Sequence, residues 1–240
     1  VNATAARPAL PIVVLASGRG SNLGALFAAI DAGTCRARVV GVVSDRAHAP
    51  ALALAADRGV PTAVVPLAHK SERAAWDERL AAAVAAFAPD LAVLAGFMRI
   101  VGPAMLRRLP GRIVNVHPSL LPAFPGTDAP AQALAAGVRI AGCTVHVVDE
   151  GVDTGPILAQ GAVPVLPDDD ATRLHARIQR VEHALLPAVI DAIARGEVAL
   201  GAGAPVLSPS LSARLEHAAL MSPWNPPTAA PEAARQARRP

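Results

Sequence analysis

The sequence predicts an α/β fold built on a doubly wound, mainly parallel sheet with an antiparallel hairpin near its carboxyl-terminal end. Three observations carry that prediction. Short runs of β-branched and aliphatic residues alternate with segments of helical periodicity from Pro11 to Arg195. Most of these runs are apolar throughout, as strands covered on both faces are. The last two runs, Ile140–Val148 and Ile157–Val165, follow each other with only the acidic, glycine-bearing segment Asp149–Gly155 between them.

Pro11–Ser17 reads as the first strand, ended by Gly18-Arg19-Gly20. A helix starts at Ser21-Asn22, whose side chains can cap it, and Leu23, Leu26, Phe27 and Ile30 recur at helical spacing until Gly33. Val39–Ser44 is the second strand, Ala49–Arg58 a helix stopped by Gly59, and Thr62–Val65 the third strand. Ser71–Phe87 is a helix closed by Pro89, and the strand Leu91–Ala95 leads into Gly96-Phe97-Met98-Arg99-Ile100. Arg112–Val116 is a strand cut off by Pro118. After a proline-bearing loop, Ala129–Ala136 is helical and the hairpin follows. Ala171–Arg195 is a long helix with Leu174, Ile178, Val181, Leu185 and Ile193 on one face, Pro187 as a kink and Gly196 as its stop. The expected organisation is a flexible amino terminus over 1–9, one catalytic domain over 10–208 and a disordered Pro/Ala/Arg-rich tail over 209–240.

Composition narrows the function. Hydrophobic residues make up 52% of the chain but aromatics only 2%, so Val, Leu, Ile and Ala must build the core. The formal net charge is +3, and Arg214, Arg235, Arg238 and Arg239 against Glu216 and Glu232 put +2 of it beyond Ser208. A nearly neutral folded part with few aromatics to stack on bases argues against a nucleic-acid partner. Cys35 and Cys143 form no CxxC pair and read as buried thiols of a reducing compartment. Neither a signal peptide nor a membrane span is evident, so a soluble cytoplasmic protein, monomer or homodimer, is expected.

Two loops carry the chemistry. Ser17-Gly18-Arg19-Gly20-Ser21-Asn22 lies between a strand and a helix, where free backbone N–H groups and the positive end of the helix dipole favour an anion such as a phosphate monoester. An ordinary capped turn accounts for the same residues. A dinucleotide fingerprint would need a third glycine where Leu23 stands, and the lysine of a Walker loop is absent. Arg73, at the start of its helix, is a candidate second contact to that phosphate.

The second loop follows Asn115-Val116-His117-Pro118. Residues two apart on a strand face one side, so an amide and an imidazole are aimed together at the strand's carboxyl end, a pairing suited to acyl transfer. A strand-end histidine bonded to its own loop is the competing account. Asp153, in the stiff segment Gly151-Val152-Asp153-Thr154-Gly155-Pro156, can supply a carboxylate that orients the imidazole and raises its pKa. His117 and Asp153 lack the further ligands of a metal site, and no metal is expected.

Taken together, the motifs resemble the phosphoribosylglycinamide formyltransferase family. Ser17–Asn22, Leu94–Ile100, Asn115–Pro122, Val152–Pro156 and Gln179–His183 stand in that family's order and spacing. The resemblance implies a Rossmann-like formyltransferase fold and transfer of formyl from 10-formyltetrahydrofolate to the amine of glycinamide ribonucleotide, a step of de novo purine synthesis. It implies a catalytic triad of Asn115, His117 and Asp153. It places Gly20, Ser21 and Asn22 at the substrate phosphate with Arg73 assisting, and Gln179 and Glu182 near the ribose and glycinamide. Met98, Arg99, Ile100 and Val101, with Val148, Asp149 and Glu150, are implied as walls of the folate pocket. Related enzymes acting on methionyl-tRNA, or hydrolysing formyltetrahydrofolate, share the Asn-x-His-Pro-Ser segment but bear a nucleic-acid-binding barrel or a regulatory domain, neither of which is found in this sequence. One departure is local: many relatives carry a histidine soon after Gly126, where this chain has Thr127-Asp128-Ala129-Pro130.

Overall fold

The structure, a computed structural model, describes residues 8–201 and 206–207 of the 240-residue chain. Its elements run β1 (Leu10–Leu15), α1 (Ser21–Asp31), β2 (Ala37–Ser44), α2 (Pro50–Ala56), β3 (Thr62–Val64), α3 (Arg73–Ala85), β4 (Leu91–Leu94), α4 (Pro103–Arg108) and β5 (Ile113–His117). They continue with α5 (Ala129–Ala135), β6 (Ile140–Val147), β7 (Ile157–Pro164), α6 (Ala171–Ala194) and a small pair, β8 (Val198–Ala199) with β9 (Val206–Leu207). The main sheet has the order β3-β2-β1-β4-β5-β6-β7. β1 to β5 pair in parallel, and β6 pairs antiparallel with both β5 and β7. The expected doubly wound sheet and terminal hairpin are therefore both present.

Residue alternation along β1 explains the winding. Ile12 and Val14 join Leu23, Leu26, Leu174 and Ile178 on one face, whereas Val13 and Leu15 join Trp76, Leu80 and Met105 on the other. Both faces are dry, and each fully buried aliphatic side chain contributes about 1.5–3 kcal/mol. Trp76 is wholly buried, and its indole N–H donates to the Val65 carbonyl at 2.8 Å. Pro187 stands inside α6 without ending it.

Two local features depart from expectation. The position before α1 is occupied by left-handed Gly20 (φ 76°), and neither Ser21 nor Asn22 caps the helix with its side chain. The short helix α4 is absent from the sequence reading because its cap is remote: the Asp77 carboxylate of α3 accepts from Gly102 N–H at 2.8 Å and Ala104 N–H at 2.7 Å. Residues 1–7 of the expected flexible terminus, and the whole of the expected tail over 209–240, lie outside the described residues.

The sheet order reverses between β1 and β4. Crevices outside the carboxyl ends of strands at such a point are where open α/β sheets bind ligands. The loops that leave β1, β4 and β5 all open on that edge.

Candidate active site

Asn115 and His117 lie two apart on β5, so they share a face. The antiparallel partner strand presents His146 opposite Asn115 and Thr144 opposite His117. The Thr144 hydroxyl donates to the Ser119 carbonyl at 2.7 Å and accepts from Leu121 N–H at 3.0 Å, which fixes the start of the proline-bearing loop. That loop turns back through Phe124, held at φ 55°, and its carbonyl lies 2.9 Å from His117 Nε2. Left-handed backbone at a bulky residue is strained, and here it delivers the contact to His117. A carbonyl only accepts, so Nε2 carries a hydrogen.

Asp153 closes the cluster. It too is left-handed, at φ 55°, a conformation aspartate tolerates better than most residues. Its Oδ2 accepts from Gly126 N–H at 2.8 Å and lies 3.4 Å from His117 Nδ1. Its Oδ1 lies 3.4 Å from Asn115 Nδ2 and 3.6 Å from His146 Nε2. Burial pushes the carboxyl up, but the His146 and Gly126 hydrogen bonds and the charges of His117 and His146 together outweigh it and hold Asp153 below the usual carboxylate value. The structure thus brings Asn115, His117 and Asp153 into one cluster.

His146 is a fourth member that the sequence reading missed. Its Nδ1 lies 3.0 Å from the Val147 carbonyl, which can only accept, so Nδ1 bears a hydrogen. In the neutral ring Nε2 is then free to accept from Asn115 Nδ2 at 3.1 Å. Donation from Nε2 to Asp153 requires a second proton on the ring. The neutral ring makes the Asn115 contact, shorter by half an ångström, and the charged ring is the form whose hydrogen bond and charge lower the Asp153 carboxyl. The available signal was the polar alternation of Thr144 and His146 within an otherwise apolar strand. Nothing local gave the register that sets His146 against Asn115.

The first loop is built by close packing. A Cβ on Gly20 would meet the Ala51 Cβ at 2.9 Å and its Cα at 3.0 Å, so α2 seals the back of the turn. Ala51 N–H donates to the Gly18 carbonyl at 3.1 Å. The first-turn N–H groups of α1 consequently face the crevice without intrahelical partners. Asn22 uses its Nδ2 to donate to Glu182 Oε2 at 2.9 Å, while its Oδ1 is buried with no partner. Burial pushes the Glu182 carboxyl up, and the Asn22 bond opposes this only in part. Gln179 lies on α6 three residues before Glu182, and so on the same side of the helix.

Arg73 lies at the start of α3. Its guanidinium donates to the Ile100 carbonyl and lies 4.9 Å from the centre of the Trp76 ring, which commits it to the segment after β4. In that segment Met98 and Ile100 are exposed apolar side chains, 61% and 55% accessible, whereas Val101 is buried. Arg99 pairs with Asp45 at 2.8 Å. Val148 N–H donates to the Ile113 carbonyl at 2.8 Å. The Asp149 carboxylate folds back onto its own loop, accepting from Gly151 N–H and the Thr154 hydroxyl, while Glu150 is exposed. Among the described residues no group of three or more His, Cys, Asp or Glu side chains is arranged to hold a metal. Cys143 is buried in β6 and its thiol is pushed far up by that burial, which leaves it inert.

Residues 10–190 match the protein family described as formyl transferase. The chain belongs to the formyl transferase family. Within that family, it is 54% identical over 183 residues to the phosphoribosylglycinamide formyltransferase of Mycobacterium tuberculosis strain H37Rv, a match that spans 76% of this chain and 84% of the relative. The crystal structure of glycinamide ribonucleotide transformylase 1 from Symbiobacterium toebii superposes with a TM-score of 0.79 at 44% identity, over 83% of this chain and 94% of that one. A formyltetrahydrofolate deformylase from Pseudomonas syringae shares the fold, with a TM-score of 0.75, but at 25% identity and over only 66% of its own length.

Proposed function

We propose that this formyl transferase moves the formyl group of 10-formyltetrahydrofolate to the amine of glycinamide ribonucleotide, giving formylglycinamide ribonucleotide and tetrahydrofolate. The observation that carries the reading is the convergence of Asn115, His117 and Asp153 beyond the carboxyl end of β5, on the same edge of the sheet as the glycine-bearing loop that leaves β1. The extent and identity of the match to named glycinamide ribonucleotide enzymes favour this acceptor over water, the acceptor of the deformylase.

In the reaction the acceptor amine attacks the formyl carbon and its oxygen takes up negative charge. Asn115 directs one amide hydrogen at His146, and the other, at 3.4 Å from Asp153, makes the longer contact. A formyl oxygen entering between β5 and Asp153 would take over that second hydrogen, so the oxyanion gains a donor whose orientation is already set. His117, held between the Phe124 carbonyl and the Asp153 carboxylate, supplies positive charge beside the developing oxyanion. The tetrahedral intermediate collapses by breaking the bond to N10 of the folate. The amine's proton leaves as N10 gains one, with Asp153 as the relay.

The acceptor's phosphate is assigned to the N–H groups at Gly20, Ser21 and Asn22. Glu182, Gln179 and the unpartnered Asn22 Oδ1 supply acceptors for its hydroxyl and amine hydrogens. The folate is assigned to the exposed Met98 and Ile100, to Arg99 and Val101, and to the facing Val148–Glu150. On the contacts described above, Arg73 belongs with this second group. The test is tetrahydrofolate release with glycinamide ribonucleotide, with water alone and with other amines. Release that needs no amine would make the protein a deformylase. His117→Ala should lower turnover about 1,000-fold, and full activity in that variant would remove His117 from the mechanism.

A further inference from the structure

We infer that Asp45 is a positioning residue that ties the acceptor's phosphate loop to the wall of the donor pocket, so that the two substrate surfaces are held as one unit. This rests on the proposed assignment of Gly20–Asn22 to the acceptor and Met98–Val101 to the donor.

Asp45 follows β2, and its side chain is fully buried at the carboxyl edge of the sheet. Its Oδ1 accepts from the Ser17 hydroxyl at 2.5 Å, and its Oδ2 accepts from Arg99 Nε at 2.8 Å. Ser17 is the first residue of the phosphate loop, and the lone pair of its hydroxyl accepts from Met98 N–H at 2.8 Å. One carboxylate therefore reaches the Met98-Arg99 backbone by two routes, directly through a guanidinium and indirectly through a hydroxyl. Ser17 N–H also donates to the Gly96 carbonyl at 3.0 Å, which closes the ring between β1 and β4. These contacts join three neighbouring strands, β2, β1 and β4, across the point where the sheet order reverses.

The chemistry requires a carboxylate. It only accepts, so the Ser17 hydrogen must point at Asp45 and a Ser17 lone pair remains for Met98. With asparagine at this position, one orientation of the amide sets its NH2 against Arg99 Nε–H, donor against donor. The other turns the amide NH2 on the Ser17 hydroxyl, which leaves the Ser17 hydrogen without an acceptor. Either way one buried bond is lost, and the charge-assisted character of the link between the two loops goes with it.

Trp76 is an internal reporter of the donor wall. Its ring stacks on Phe97 at 6.5 Å, and Arg73 bridges it to the Ile100 carbonyl. In a Trp224→Phe background it is the single tryptophan. Titration with ribose 5-phosphate, which engages the acceptor side and not the donor wall, should shift Trp76 emission. Asp45→Asn should shrink that shift and weaken ribose 5-phosphate binding, measured by calorimetry, about 10-fold. Ser17→Ala, which spares the Asp45–Arg99 pair, should do the same if Asp45→Asn fails to fold. In turnover, Asp45→Asn should raise KM for both substrates about 10-fold with kcat within about 2-fold. Absence of the emission shift in the parent protein, persistence of shift and affinity in both variants, or a change confined to the donor KM would each overturn the inference. A parent protein that binds ribose 5-phosphate with the expected shift, yet transfers no formyl group, would instead sink the proposed function alone.

Discussion

Asn115 of β5 and His146 of β6 are directly opposed in the antiparallel ladder, and their side chains meet at 3.1 Å between Nδ2 and Nε2. The amide proposed to receive the formyl oxygen is thus oriented from the neighbouring strand.

Loss of that anchor should appear in turnover rather than in binding. His146→Leu keeps the bulk within the buried strand and removes the acceptor, so kcat should fall about 10-fold with acceptor KM little changed. Steady-state kinetics decide it. An unchanged kcat would mean that Asp153 alone orients Asn115.

Acid should expose the electrostatics of Asp153. Its folded carboxyl titrates below the ordinary value of 3.8, because the His146 and Gly126 hydrogen bonds and the two histidine charges together outweigh burial. The unfolded chain therefore binds that proton first as pH falls. The carboxylate's contribution to stability is whole above that value and drains away as pH drops through the lower folded value. Asp153→Asn keeps a residue that tolerates φ 55° while discarding the charge. In melts taken between about pH 3 and 6, parent and variant should differ most at the upper end and converge at the lower. A constant gap would show that the charge is immaterial to folding.

Glu182 should behave in the opposite sense. Burial raises its folded pKa above the ordinary 4.5, with Asn22 opposing. Between those two values the folded protein keeps a proton that the unfolded chain has lost, so stability declines as pH rises through that window. Glu182→Gln should therefore melt a few degrees higher than the parent at about pH 8 and bind the acceptor less well. A lower melting temperature would mean that the ionised carboxylate has partners enough to favour the fold.

Gly20 is under a double constraint, from a φ of 76° and from Ala51 at 2.9 Å. Gly20→Ala should lose about 1–3 kcal/mol from the strained backbone alone and raise acceptor KM by displacing the N–H groups of the turn. Chemical denaturation together with kinetics reports both. Gly18→Ala serves as the control, since a Cβ there meets nothing within 4 Å. Equal losses at the two glycines would refute the steric argument.

The strands of the main sheet and most helices were legible because their signals are local. The apolar runs that became β1, β2 and β4, and the spacing of Leu23, Leu26 and Phe27, need no partner to be read. The pairing of Asn115 with His117 was legible for the same reason, since two-residue alternation is a property of a single strand. α4 was not, because Asp77 caps it from another helix. The contact of Arg73 with the Ile100 carbonyl was not legible either, because that segment is brought alongside only by folding.

By itself the sequence determined the order of the main-sheet strands and most helices, the two glycine-bearing turns and the aim of Asn115 and His117, all consequences of backbone preferences within a few residues of one another. Only the tertiary structure decided how distant groups meet. It set β6 against β5, so that His146 faces Asn115. It folded the strained loops so that the Phe124 carbonyl and the Asp153 carboxylate reach the two nitrogens of His117. It also buried Asp45 between Ser17 and Arg99. The physical reason is range: turn and strand preferences act between chain neighbours, whereas hydrogen bonds and charges act between whichever groups packing brings within about 3–4 Å.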